Sequence, residues 1–326
     1  MRGANSPSSF PACQCSGLIM DSFTMPDLDD SSQASGEGAP DSGLNGGIVV
    51  FDFILILAFV LLILILIPAL FSSTVVRIKS WFAVVMTSLL CCVSFLLLLG
   101  QQTGAEPNLP ICLLSASLIY AGPPLVACSG VLLVVELYLR LRSTILSKTV
   151  NETLVSLMLW VLPIVHALSS WVTLLTGLSD ISSIRRDPTG LYCHVEHPGP
   201  TLTTGVLVAV FQVLMFIFEG LSIRLLVKKR MSIRHVRINS RDFPSSLFFR
   251  TAMYTFIGGL VVITVLIMNT TSTTRSIGSY IMVNLLAIMP LLVAVVFGTQ
   301  QEILNWYRCW KPRYRYPMTH APQAKP

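Results

Sequence analysis

Seven apolar stretches, each near the length of a bilayer crossing, constrain this chain more than any other feature; they cover 48–71, 81–100, 111–139, 155–175, 202–226, 247–268 and 279–297. A helix needs roughly 20 consecutive apolar residues to cross the hydrocarbon core. A transmembrane barrel would instead show alternating segments of about ten residues, and these stretches do not alternate. Of the 326 residues 53% are hydrophobic and only 12% charged, against about 25% charged in a soluble domain. Too little polar surface exists to cover a water-soluble protein of this size. The expected fold class is all-α: a seven-transmembrane helical bundle, with a short interfacial helix after the seventh span.

The loops between the stretches carry the charge. One set of alternate loops and the C-terminal segment hold 18 of the 22 Lys and Arg residues; the other side holds Arg2, Arg185, Arg186 and Arg275. Short loops rich in Lys and Arg stay in the cytoplasm. The N-terminus is therefore expected outside and the C-terminus inside, in a multi-pass protein of the plasma membrane. The same separation argues against nucleic acid as the partner of the net +6 charge, because no recognition helix or stacking aromatic pattern accompanies it. Membrane lipids are the implied partner.

Residues 1–47 hold six acidic residues and one basic residue among many Ser, Gly and Pro. They offer little apolar surface to offset ordering entropy, so a disordered extracellular tail is expected. It has no apolar core of signal-peptide length, which leaves the first span as the targeting signal. The bundle with its interfacial helix is expected over 48–310, and 311–326 reads as a basic cytoplasmic tail. In the 297–316 segment Ile303, Trp306, Tyr307 and Trp310 share one helical face, as in a helix lying on a leaflet. Cys309, beside basic residues, is either a candidate for acylation or an unmodified interfacial thiol.

The third span holds most of the unusual chemistry. Cys112 begins it, and Cys193 lies in the next loop on the same side. An oxidising compartment allows a disulfide between them; the alternatives are free thiols or pairing with Cys13 or Cys15. Gly122, Pro123 and Pro124 sit in mid-span. Each proline lacks an N–H and clashes one turn back, which orphans carbonyls near Ile119 and Tyr120. Lipid cannot satisfy them, so neighbours or buried water must. The triplet is expected to kink the helix. At the far end Glu136 and Arg140 stand four apart, the spacing of a helical ion pair. Such a pair can lock one conformation; the simpler reading is two solvated interfacial charges.

Polar residues inside spans tend to face the bundle interior. Tyr120, His166, Gln212, Thr264 and Asn284 are candidates to line a ligand pocket, with interhelical hydrogen bonding as the alternative. Glu219 lies nearer the inner end and is expected to meet a loop arginine. Arg142, Lys228, Lys229 and Arg230 belong with Glu136 and Arg140 to a surface for anionic lipid heads or an acidic cytoplasmic partner. Asn269 begins an N-glycosylation sequon on the outer side; Asn151 begins another on the inner side, where glycosylation does not occur. No HExxH, GxSxG or phosphate loop is present. No catalytic residue, metal site or cofactor is expected, and no span lysine exists to hold retinal.

Seven spans, an outer N-terminus, paired cysteines, a basic third inner loop and an interfacial helix together resemble G-protein-coupled receptors. Within fungi the chain is similar to receptor-like seven-span proteins of mushroom-forming species, through YAGPP at 120–124, Tyr192-Cys193 and FGTQ at 297–300. The resemblance implies an extracellular small-molecule or peptide ligand and a heterotrimeric G protein inside. The sequence departs from the rhodopsin-like pattern: Glu136-Leu-Tyr138-Leu-Arg140 replaces the acidic-Arg-aromatic triplet. The seventh-span Asn-Pro-x-x-Tyr and the sixth-span Trp-x-Pro are absent. A seven-span transporter or non-signalling scaffold is the alternative function.

Overall fold

The computed structural model describes residues 42–71, 77–146, 149–187, 189–232, 245–270 and 275–308. Nine α-helices lie among them: α1 (Ser42–Phe71), α2 (Lys79–Leu96), α3 (Leu109–Leu146), α4 (Glu152–Leu159), α5 (Val161–Ser179), α6 (Pro198–Ser232), α7 (Ser245–Thr270), α8 (Arg275–Gly298) and α9 (Gln301–Arg308). Five segments are long and apolar enough to cross a membrane, the fourth being α4 and α5 together; α7 and α8 carry shorter apolar stretches, Phe248–Thr264 and Val283–Gly298. Such lengths of uninterrupted apolar helix, with Phe53, Leu70, Trp160 and Leu168 facing outward, make this a helical, multi-pass membrane protein. Of the tail expected to be disordered over 1–47, residues 42–47 instead form the start of α1; residues 1–41, most of the basic stretch 228–250, Cys309 and residues 310–326 lie outside the described residues.

α3 is the axis of the bundle. Its apolar window is 72% buried, against 11% for α4–α5 and 22% for α6. Helices in lipid gain little from the hydrophobic effect between them, so close packing through small residues carries the association. α3 supplies those residues. A Cβ on Gly130 would stand 2.9 Å from Met215 Sδ of α6, and one on Gly122 would stand 3.3 Å from Cys91 Sγ of α2. α1 packs against α2 and α8, with Phe51 meeting Phe95 edge-on at 5.9 Å between centroids.

The prolines explain three local features. Pro68 cannot bond the carbonyl of Leu64 one turn back; the Tyr307 hydroxyl of α9 donates to that carbonyl at 2.5 Å. That bond and buried Ile303 seat α9 against α1. In α3 the helix runs through Gly122-Pro123-Pro124 without interruption. The Tyr120 carbonyl, which Pro124 cannot reach, accepts from Thr204 Oγ1 of α6 at 2.9 Å. Pro163 acts differently. The single span expected over 155–175 is divided at Trp160, whose N–H turns to the Leu157 and Met158 carbonyls. The missing donor of Pro163 and its ring, directed at Leu159, account for the break.

The loop between α5 and α6 holds a hairpin that an all-α reading does not contain. β1 (Ile184–Arg186) pairs antiparallel with β2 (Cys193–Val195), with Arg186 opposite Cys193. Asp187 accepts from the Thr189 amide and hydroxyl in the turn. Gly190 follows at φ +76°, where a Cβ would stand 2.7 Å from the Gln102 carbonyl; no other residue type fits there unstrained. Arg186 donates to the carbonyls of Gln101 and Gly104 at 3.1 and 2.7 Å. The hairpin is thereby fastened to the α2–α3 loop.

Candidate functional site

Two arrangements stand at opposite ends of α3. At the first, Cys112 and Cys193 form a disulfide with Cα atoms 5.3 Å apart, buried among Leu98, Ala116, Ile184 and Val195. It joins β2 to the start of α3. Tyr192, one residue before the bridge, borders a cavity of about 210 Å³ inside the bundle. α2 contributes Phe95, α3 contributes Ile119, Tyr120 and Pro123, and α6 contributes Thr201, Thr204 and Gln212. α7 adds Tyr254 and Gly258, and α8 adds Val283 and Met289. Among the described residues, none of the lining side chains is Asp, Glu, Lys, Arg or His. A large apolar cavity with few convergent polar groups is the usual form of a small-molecule site.

Of the five residues chosen from sequence to line a pocket, Tyr120 and Gln212 border this cavity; His166, Thr264 and Asn284 are not among its lining residues. Tyr120 Oη stands 3.5 Å from Thr201 Oγ1. Gln212 Nε2 donates to the Thr255 carbonyl of α7 at 2.8 Å. Thr264 returns its hydroxyl to the Leu260 carbonyl of its own helix at 2.9 Å, a local alternative open to any helical threonine. His166 sits on α5, which packs on α3 and α6. Asn284 follows Val283, and one residue along a helix turns a side chain to another face.

Thr204 is the residue sequence reading missed at this end. Its hydroxyl donates to the Tyr120 carbonyl, and nothing in a sequence pairs a threonine with a proline-freed carbonyl 84 positions away. Thr204→Val keeps the volume and removes the donor. An unmade buried hydrogen bond costs about 1–3 kcal/mol, so thermal unfolding of the purified variant should show a loss in that range, with Thr204→Ser retaining most of the wild-type stability.

At the other end of α3 the Glu136 carboxylate is 2% exposed. Arg140 donates to Oε1 from Nε at 2.8 Å and from Nη2 at 2.6 Å. Ser80 donates to Oε2 from its amide at 3.2 Å and its hydroxyl at 2.6 Å. Ser80 lies in the first turn of α2, whose N-cap position, Ile78, offers no side-chain acceptor. Glu136 therefore caps α2 from a neighbouring helix, where an anion also meets the positive end of the helix dipole. Arg140 Nη2 reaches Glu152 Oε1 of α4 at 3.2 Å, and Lys79 Nζ donates to Ser156 Oγ at 2.7 Å. The four-residue spacing marked the Glu136–Arg140 pair; Ser80 and Glu152 come from other helices and could be found only in the fold.

The remaining sequence candidates are dispersed. Arg142 and Lys228 are exposed. Lys229 and Arg230 continue α6 and Asn269 lies near the end of α7; their side chains lie outside the described residues. Asn151 caps α4, accepting from the amides of Thr153 and Leu154. Glu219 is buried with Oε1 unpartnered, and the described residues show no ion pair between it and an arginine. Arg250 instead holds the end of α8, donating to the Thr299 carbonyl at 2.9 Å. A cation there suits the negative end of a helix.

No protein-family model and no curated protein matches the chain. The functional reading therefore rests on the cavity, the charge cluster and the resemblance carried by the residues quoted above.

Proposed function

We propose that the protein is a seven-span receptor of the G-protein-coupled type, taking an extracellular ligand in the cavity and signalling to a cytoplasmic heterotrimeric G protein. One observation carries the reading: α3 borders the cavity with Ile119, Tyr120 and Pro123 and holds the charge cluster in which buried Glu136 meets partly exposed Arg140. A single helix thus links a place for a ligand to a polar device able to exist made or broken. A ligand shifts such an equilibrium only through different affinity for the two packings. α7 and α8, with 26 and 24 residues, would be the sixth and seventh crossings, since about 36 Å of helix results from 24 residues at 1.5 Å each. The basic segments then face the cytoplasm, and 1–41 faces outward.

The test is nucleotide exchange by heterotrimeric G proteins on membranes carrying the full chain. Glu136→Gln keeps the size of the side chain but removes the charge that holds Arg140 and caps α2. Basal exchange above wild type is the expected result. Exchange in the variant unchanged from wild type, at equal protein level, would remove the lock; no exchange above empty membranes for either protein across the panel of G proteins and ligands would remove the receptor reading.

A further inference from the structure

The chemistry of the cavity wall restricts what can occupy it. Size comes first. An apolar cavity of about 150 Å³ holds one benzene, so about 210 Å³ suits a molecule of about eight to ten heavy atoms. Charge comes second. With no Asp, Glu, Lys, Arg or His among the described residues of the wall, an ammonium or carboxylate would lie buried without a counterion, which is strongly unfavourable.

Hydrogen bonding narrows the choice further. The Thr204 hydroxyl is committed to the Tyr120 carbonyl. The Gln212 amide is oriented without ambiguity, because the Thr255 carbonyl it meets at 2.8 Å accepts only, so Nε2 must be the atom facing it. That leaves Oε1 as an acceptor. It stands 3.3 Å from the place a Cβ would take on Gly258. Both residues border the cavity, and the bare glycine backbone leaves this acceptor uncovered. An acceptor in an apolar wall favours a ligand that brings a donor.

From these features we infer that the cavity takes a small, uncharged, largely hydrocarbon alcohol whose O–H donates to Gln212 Oε1, with Gly258 limiting its bulk at that end. The inference deepens the receptor reading and rests on it only for the cavity's role in signalling; the binding itself stands apart.

The probe is tritiated 3-phenylpropan-1-ol, of about the size argued above, with the full-length protein in phosphatidylcholine nanodiscs. Competitors are the unlabelled alcohol, its methyl ether, 3-phenylpropylamine and 3-phenylpropanoate. Displaceable binding is expected, with the alcohol preferred about tenfold over the ether and by more than that over both ions. Gln212→Leu should bring alcohol and ether to within about threefold. Gly258→Ala should weaken the alcohol about tenfold by crowding Oε1. No displaceable binding, or displacement by either ion as effective as by the alcohol, would overturn the inference, and both are read on the wild-type protein alone. A tenfold preference surviving in Gln212→Leu would overturn the role of Oε1, and an unaltered Gly258→Ala that of the glycine. Ranked binding without G-protein exchange removes the receptor reading and leaves this one; exchange driven only by an ion does the reverse.

Discussion

Arg140→Ala should lower the stability of the folded bundle by about 2 kcal/mol, below the range for stranding one partner of a fully buried ion pair, because Arg140 is itself 36% exposed and solvent screens its side of the pair. Glu136 is 2% exposed and receives four hydrogen bonds, two of them from Arg140. Without the guanidinium the carboxylate keeps only the two Ser80 donors, and its charge has no counterion inside the bundle. The Ser80 bonds and the N-terminus of α2 limit the loss further. Arg140→Lys should recover only part of it, since an ammonium cannot reproduce the Nε and Nη2 pair. The double variant Glu136→Gln with Arg140→Ala should be more stable than Arg140→Ala alone, because no charge is left behind. Thermal unfolding of the wild type, Glu136→Gln, Arg140→Ala and their double variant in one detergent closes a double-mutant cycle. Additive losses would show that the two side chains do not act as a pair.

Cys112→Ser, alone or with Cys193→Ser, should cost about 2–4 kcal/mol. The bridge closes a segment of 81 residues, for which chain entropy alone gives about 4.5 kcal/mol. α3, α4 and α5 lie within that segment, and helices held by lipid already restrict the unfolded chain, so the lower figures are the expectation. The loss should be local in space. β1 and β2 are three residues each, too short to persist unaided, and Tyr192 is positioned by its neighbour Cys193. Hydrogen exchange over 184–195 should accelerate strongly in the variants, while the Glu136 end of α3 keeps its protection. Equal protection of the hairpin with and without the bridge would mean that Arg186 and the Gly190 turn hold it by themselves.

The helices were legible because lipid imposes a length and an apolarity that the sequence must show. The Glu136–Arg140 pair was legible for a similar reason, since spacing along one helix is a local property. Helix ends followed less well: α3 continues seven residues beyond the stretch that ends at 139, to Leu146, as polar side chains at a span end can turn toward water. Pro163 was visible, but whether a proline bends or divides a helix depends on what takes up the freed carbonyl. In α3 Thr204 does so, and the helix continues; at Trp160 it is interrupted for one residue and resumes as α5 at Val161. The hairpin left no alternation long enough to notice. Polar type and depth within the span placed His166, Thr264 and Asn284 with the pocket, yet the face a span residue presents is set by helix rotation, which comes from packing against neighbours. Gln212 reached the cavity, and what makes it informative there is Gly258, a residue with no side chain.

The account depends on an odd number of crossings, with the two ends of the chain on opposite faces of the membrane. Epitopes placed before Met1 and after Pro326 test this on the same cells. The N-terminal epitope should bind antibody on intact cells, and the C-terminal one only after permeabilisation. Binding of both, or of neither, before permeabilisation would contradict the seven-span arrangement and, with it, the receptor.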